Sequence, residues 1–448
     1  MSRVRRLASA LNRVRCRPAV VRLAHVELTF RTLDPRDDSP ETTRLLKGWL
    51  EGLLRGFHDA RPKPEAWDVF LECMQEDGSI VRGAWLPDGE FGAGPVPVAT
   101  YSSLNGSLNN GRRELPLRMI TDVTVSPAHR RKGLLRRMIT DDLADAARQE
   151  LPLAALTVSE TTIYGRFGFG LSTWRHRIEV DTTSRFALRD FVDPGRMELA
   201  EPTELWPEMQ RNFAAFHERS RGSVSRPSFY RSWLTGSFDF DQQAPNTRLR
   251  AAVHLDAAGE PDGHVVYQHR GYDDVPGGKV SVQDLVAADP GAYLALWRFL
   301  ADIDLCARVE WRNSSADDPL VWALTDSACR KVAKVDDHIW VRVLDVVTAL
   351  EGRPWSSDGS VVLGVSDPLG HADGSFRVTV KEGEASVEPV ADQPDVTVDA
   401  ETLGALYLGG VPMETLAAAG RVGGSGDAVR TWAAMADLPG VPFSLTTF

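Results

Sequence analysis

Arg130, Arg131, Lys132 and Gly133 put three cations and a glycine at the point where an alternating pattern gives way to a helical one. Unsatisfied backbone N–H groups and the positive end of a helix dipole converge at such a point, so the loop is suited to hold a phosphate or pyrophosphate. Taken on composition alone, it could equally be a basic, solvated helix start. The elements that must position it flank it directly. Val123 and Val125 alternate with Asp122 and Thr124 as a strand, which Pro127 closes. Leu135, Ile139, Leu143 and Ala146 then fall on one helical face, with Arg136, Arg137, Asp141 and Asp145 expected to turn outward.

A second candidate group lies downstream. Leu153 to Val158 is a short, nearly continuous apolar run, as expected of a strand covered on both faces, and its end delivers Ser159, Glu160 and then Tyr164. Gly165, Gly168 and Gly170 are not a dinucleotide fingerprint, because their order is wrong and no helix follows; they read as tight-turn positions.

At 448 residues, two or three domains are expected. The 43% hydrophobic and 25% charged content is that of a soluble globular protein. With 51 basic against 62 acidic residues the net charge is −11, which argues against general nucleic-acid binding and is compatible with cationic substrates, although solubility alone is the preferred reason for it. Cys16, Cys73, Cys306 and Cys329 are too scattered for a disulfide framework, and no spacing suggests a metal site. No apolar run approaches the roughly 20 residues of a membrane span. Residues 1–22 carry seven arginines and no acid. They could be a targeting segment, a basic arm or the product of an upstream translation start, and a dispensable, disordered extension is the reading preferred here.

In chain order, Val26 to Phe30 reads as a first strand, and Thr43 to Phe57 as a helix with Leu45, Leu46, Leu50, Leu53 and Leu54 inward. Pro62 and Pro64 make the following segment a loop or a fresh helix start. Leu115 to Val125 continues the sheet, and Arg175 to Val180 is expected to close the unit. Val280 to Leu300 repeats the pattern that begins at Asp122, but Asp289-Pro290-Gly291 replaces the cationic loop. An acid there would repel pyrophosphate. Ile339 to Val343 is expected to open a last unit of short strands (Val361 to Val365, Phe376 to Val380, Ala385 to Val387, Val396 to Val398) followed by helices.

The order strand, proline, Arg-x-x-Gly, helix resembles the acetyl-CoA site of the GNAT superfamily of N-acetyltransferases. Arg130 and Gly133 match that signature, while Leu135 stands where the superfamily has a small residue. The Arg-Arg-x-Gly-Leu-Leu form suits one subfamily, the Eis (enhanced intracellular survival) acetyltransferases, and the run from Ser159 to Gly170 is similar to its second signature. The resemblance implies an α/β (α+β) chain of tandem GNAT folds and a sterol-carrier-protein-like end. The expected divisions are the extension at 1–22, a catalytic GNAT domain at 23–182, a degenerate GNAT-like domain at 183–337 and the sterol-carrier-like domain at 338–448.

The same resemblance implies acetyl-CoA as co-substrate, with no metal. Its site is expected at Val123, Thr124 and Val125, at Arg130, Arg131, Lys132, Gly133, Leu134, Leu135 and Arg136, and at Ser159 and Glu160. A backbone N–H near Val123 to Val125, where the GNAT strand is bulged, would polarise the thioester oxygen. A thiol leaving group of pKa about 8.5 needs one positioned acid. Tyr164 takes that role by its match to the motif, a tyrosine packed at a turn being the alternative. An alkylamine acceptor, of pKa about 10.4, must lose a proton. No His-carboxylate pair stands out, and the resemblance assigns the task to the α-carboxylate of an aromatic last residue, here Phe448, although chain ends commonly fray. Phe57, Asp59 and Trp67 stand in matching places for the acceptor pocket. Small-molecule amines such as aminoglycosides or polyamines, a homohexamer and a cytoplasmic location are further implied, with no nucleic-acid or membrane partner. Two other functions share these features: a protein-lysine acetyltransferase with the same core, and a lipid-binding or scaffolding protein with an inactive first domain.

Overall fold

The computed structural model of the protein describes residues 27–158, 160–272 and 276–448. The arginine-rich segment 1–22, Val26 and Ser159 lie outside the described residues.

Six strands begin the first sheet: β1 (Thr29–Leu33), β2 (Ile80–Trp85), β3 (Ala99–Asn109), β4 (Glu114–Val125), β5 (Leu153–Thr157) and β6 (Gly170–Leu171). The next seven form the second sheet: β7 (Trp174–Asp181), β8 (Arg196–Ala200), β9 (Leu249–Leu255), β10 (Pro261–His269), β11 (Lys279–Ala287), β12 (Arg308–Ser314) and β13 (Arg330–Asp337). β14 (Ile339–Val343) then returns to the first sheet, whose order is β1-β2-β3-β4-β5-β14-β6, while the second reads β13-β7-β12-β11-β10-β9-β8. β15 (Gly359–Ser366), β16 (Gly374–Lys381), β17 (Glu384–Val390), β18 (Val396–Asp399) and β19 (Val422–Gly424) make the third, in the order β17-β16-β15-β18-β19. Among the described residues no helix is long and apolar enough to cross a membrane.

Two strands therefore sit in a different sheet from the one expected. Arg175 to Val180 does not close the first unit: as part of β7 it pairs with β12 and β13. Ile339 to Val343 does not open the last unit: as β14 it lies between β5 and β6. The cuts at 182/183 and 337/338 thus each leave a strand on the wrong side of its hydrogen bonds. The physical reason is that β5, buried along Leu153 to Leu156, needs a partner on its second edge, and β14 is buried at all five positions. Alternation along a strand reports which face is buried but carries nothing about which sheet supplies the neighbour.

The helices that matter for the site are α1 (Pro40–Phe57), α2 (Pro64–Glu76), α3 (Leu134–Arg148), α4 (Trp206–Arg219), α5 (Phe229–Thr235) and α6 (Pro290–Ala301). α1 is capped by Ser39, buries the five expected leucines, and adds Trp49, whose indole donates to the Arg82 carbonyl at 2.7 Å. α3 buries Ile139, Leu143 and Ala146 as its spacing requires, with Leu134 and Met138 beside them, while Leu135 is only half-buried. Its acids depart from expectation. Asp142 is fully buried and Asp145 turns in with it, because Arg82 of β2 donates to both. Tyr101 and Ser103 add hydroxyl bonds to Asp142, each of 2.8 Å. A buried ion pair completed by hydrogen bonds fixes the register of a helix on its sheet more strictly than apolar contact alone.

The third unit shares an apolar core with the first and approaches it most tightly at one helix. Its helix Ala400–Leu406 packs on β14, β6 and the turn Gly165–Phe167. The approach is backbone on backbone: a Cβ on Gly170 would lie 2.0 Å from the Glu401 carbonyl oxygen and 2.3 Å from the Ala405 nitrogen. Gly168, at φ 82°, is a turn glycine as expected; Gly170 is there for clearance. Gly170→Ala is expected to destabilise the protein by about 2 kcal/mol or more, whereas Gly426→Ala, facing only a flexible Arg430 tip, should cost little. Urea-unfolding midpoints of the two variants check this.

Candidate active site

The site begins where two parallel strands separate. β4 and β5 pair from Leu117/Leu153 to Ile120/Leu156, and β4 then runs on to Val125 without β5. In that overhang the strand is bulged: Thr121 lies opposite Ser102 and Thr124 opposite Thr100, so Asp122 and Val123 share one partner. Asp122 takes a positive φ of 58°. Hydroxyls clamp the distortion, Thr100 donating to the Asp122 carbonyl at 2.9 Å and Ser102 to its carboxylate at 2.6 Å. Burial pushes the Asp122 carboxyl up, with Ser102 pulling partly the other way.

After the bulge, Pro127–His129 forms one turn of 3-10 helix and Gly133, at φ 76°, begins α3. No side chain caps that helix start, its first turn carries no acid, and a Cβ on Gly133 would meet nothing within 4 Å. Arg130, Arg131, Lys132, Gly133 and Arg136 are exposed around it. The helix start is therefore open, cationic and rich in free amides, as the binding of a diphosphate requires. The internal repeat provides the contrast. β11 and β12 pair in parallel only to Val282/Trp311, β11 is irregular at the next residue, and α6 follows. There Asp289 caps the helix, accepting from Gly291 and Ala292 N–H at 2.7 and 3.0 Å, so its own carboxylate occupies the anion position.

The turn that carries Tyr164 stands beside the start of α3. Tyr164 shares one apolar cluster with Val123, Val125, Leu134 and Leu135, and Arg136 lies 5.8 Å over the ring of Phe167. Tyr164 packs edge-on against Phe169. Burial, with a smaller contribution from the exposed Glu160, pushes the phenol up to about 12, so it holds its proton throughout the physiological range.

The far end of the chain arrives at the same strand. Thr157, the last residue of β5, donates to a carboxylate oxygen of Phe448 at 2.5 Å. The tail before it is buried and bonded: Ser444 and Thr446 are fully covered, and Thr446 donates to the Val224 carbonyl at 2.6 Å. Thr447 is held by Tyr230, Arg175 and His338. His338 is buried, and burial together with the neighbouring Arg175 charge brings its imidazole down to about 3.

Of the expected acceptor residues, Phe57 ends α1 and Asp59 follows it, next to Gly56, which packs so closely on Thr124 that a Cβ would lie 2.4 Å from that side chain. Phe57 is exposed. Trp67 goes elsewhere, into the packing of α1 on α2, with the Lys47 ammonium 5.3 Å over its ring. The sequence reading missed Asp239 and Asp241. Gln243 ties their loop to the segment after α1, donating to the Ala60 and Arg61 carbonyls at 3.3 and 3.4 Å. Burial raises the Asp241 carboxyl, and the charges of Asp239 and Asp59 raise it further. Thr157, Tyr230 and His338 were missed too, since no local pattern marks a residue whose partner is more than a hundred positions away. Among the described residues no group of His, Cys, Asp and Glu is gathered as a metal site.

Comparison with known proteins agrees with this architecture. Two models described as acetyltransferase (GNAT) domains match residues 42–172 and 222–343, and a sterol carrier protein domain matches 346–443. The chain is 36% identical over 390 residues to an N-acetyltransferase of Streptomyces avermitilis, covering 84% of this chain and 89% of that one. It is 32% identical over 372 residues to N-acetyltransferase Eis of Mycobacterium tuberculosis, covering 80% and 86%. The crystal structure of Eis1 from Mycobacterium abscessus superposes with a TM-score of 0.76 at 28% identity, over 94% of this chain and 100% of that one.

A pH dependence follows from His338. Its folded value lies far below the ordinary 6.5, so its contribution to stability is fully present above pH 6.5 and is lost as pH falls toward about 3, because the unfolded chain alone takes up the proton there. The urea midpoint should fall less steeply over this window in His338→Gln than in the parent; equal slopes would contradict the assignment.

Proposed function

Because the chain belongs to the Eis family of GNAT N-acetyltransferases, we propose that it transfers the acetyl group of acetyl-CoA to an amine of a cationic small molecule of the aminoglycoside or polyamine class. Use of acetyl-CoA in general is what two GNAT domains imply. The open, cationic start of α3 supports the placement of the diphosphate, with the amides at and after Gly133 as its ligands. The bulge at Asp122 and Val123 frees backbone from the ladder, which supports an amide there as the group that polarises the thioester oxygen.

The chemistry then needs two proton movements. The acceptor nitrogen forms a bond to the thioester carbon while the carbon–sulfur bond breaks. In this reading the carboxylate of Phe448 takes the proton that the amine gives up, and Tyr164 gives its proton to the departing sulfur. A phenol raised to about 12 is a donor rather than a base at neutral pH. The single observation that carries the assignment is the bond between Thr157 and the Phe448 carboxylate, which brings a charged chain end to the strand next to the bulge. Asp59, Asp239 and Asp241 support a cationic acceptor, since carboxylates crowded together favour a counter-charge. A hexameric assembly rests on the family resemblance, and light scattering on the purified protein reads it.

The deciding experiment is a thiol-release assay with acetyl-CoA against aminoglycosides, polyamines and lysine peptides, run on the parent and on Tyr164→Phe. Small cationic amines should be turned over and peptides not, and the variant should lose about 100-fold or more in kcat with the KM for acetyl-CoA nearly unchanged. Equal rates for the two proteins would remove Tyr164 as the acid, and faster turnover of peptides would replace the acceptor class.

A further inference from the structure

The two GNAT-like units use the same frame differently, and the second one contains charged groups that the reaction does not use. Asp284 of β11 stands where Asp122 stands in β4, two residues after the last parallel pair. Burial alone would raise its carboxyl, but Arg226 and His264 bring it down to about 2. Arg226 donates to both of its oxygens, at 3.0 and 2.6 Å, and lies 4.6 Å over the ring of Tyr230. Tyr230 is 2% exposed, and its hydroxyl accepts from the Thr447 N–H at 2.9 Å and donates to the Thr447 carbonyl at 3.3 Å. The space that corresponds to the open cleft of the first unit is a cavity of about 270 Å³ between the end of β11, Asp289 and Trp311, and Phe443 and Leu445 of the tail form part of its wall.

We propose that the degenerate GNAT-like unit serves the reaction by holding the C-terminal tail, with Tyr230 and the hydroxyl of Thr447 as the positioning residues that fix the Phe448 carboxylate at Thr157. The proposal rests on the reading that this carboxylate is the base. One hydroxyl satisfies both backbone groups of the penultimate residue, which fixes the direction of the last peptide as well as its position. The Thr447 hydroxyl accepts from Arg175 Nη1 at 3.0 Å and shares a hydrogen bond of 3.2 Å with His338 Nε2. The last residue therefore emerges from a cradle with contacts on three sides, built from β7, α5 and the residue before β14, and reaches β5 without freedom to swing. A carboxylate held this way keeps one distance from the acceptor, and misplacement by a fraction of an ångström lowers the rate of proton transfer more than it lowers binding.

The test uses the full chain with whichever acceptor the panel above turns over fastest. Tyr230→Phe keeps the ring under Arg226 and removes only the hydroxyl; Thr447→Val removes the side-chain hydroxyl at nearly constant shape, and Thr447→Ser restores it. Expected results are a fall in kcat of about tenfold or more for Tyr230→Phe and Thr447→Val, with the KM for acetyl-CoA within about twofold of the parent, and near-parent kcat for Thr447→Ser. Deletion of Phe448 is run beside them. If deletion leaves kcat unchanged, the carboxylate reading fails and this proposal falls with it. If deletion abolishes turnover while Tyr230→Phe and Thr447→Val keep the parent kcat, the base stands and the positioning role is overturned. Equal losses of kcat and acetyl-CoA affinity, or a Thr447→Ser no better than Thr447→Val, would likewise overturn it by pointing to general disruption.

Discussion

One hydrogen bond, from Thr157 at the end of the fifth strand to the carboxylate of Phe448, constrains the whole molecule. For the last residue to reach that strand, the seven residues before it must leave the sterol-carrier-like unit and cross the second GNAT-like unit. Burying them there costs conformational entropy that a free terminus would keep. The offsetting contacts are visible all along the path: Phe443 N–H on the Arg221 carbonyl at 2.8 Å, Leu445 in the core of the second unit, and Thr446 and Thr447 bonded by backbone and side chain. Strand exchange serves the same end. β7 and β14 tie the two seven-stranded sheets together, and the cradle for Thr447 draws on Arg175 from one of those strands and His338 from the residue just before the other.

The duplicated frame separates what the fold supplies from what particular residues supply. Both units have a parallel pair that parts after four rungs, an irregular strand and a helix beginning at the opening. The difference is electrostatic. In the first unit Gly133 leaves the helix start uncapped among exposed cations; in the second, Asp289 takes the same amides for itself. Asp122 keeps only a serine hydroxyl and is pushed up by burial, while Asp284 is neutralised by Arg226 and His264. The second unit satisfies with its own side chains the groups that the first leaves unpaired, on the same order of strand, irregularity and helix.

Much of the first site was legible in the sequence because its parts are local. The cationic loop, the helix face at Leu135, Ile139, Leu143 and Ala146, and the repeat from Val280 are encoded by spacing over fewer than two dozen residues, and the family resemblance made Tyr164 and Phe448 worth singling out. What could not be read depends on contacts between distant segments. Period-two alternation in Arg175 to Val180 and Ile339 to Val343 gave strands but not the sheet each would join. Asp145 looked solvated because its partner, Arg82, lies 63 positions earlier. Trp67, singled out by the resemblance, lies partly buried where one helix packs on another, a contact that its local sequence does not show. Nor does any local pattern show that the helix at Ala400–Leu406 of the third unit presses directly on the turn that follows Tyr164, which is why residue 170 has no side chain.

The central claim is that the α-carboxylate of the last residue, and not merely the presence of a tail, takes part in the reaction. Semisynthetic protein in which the Phe448 carboxylate is replaced by a carboxamide tests it most directly, since shape and burial are kept and only the charge and basicity are lost. Turnover should fall by about 100-fold or more while acetyl-CoA still raises the melting temperature as it does in the parent. Amidated protein with the parent's kcat would contradict the account.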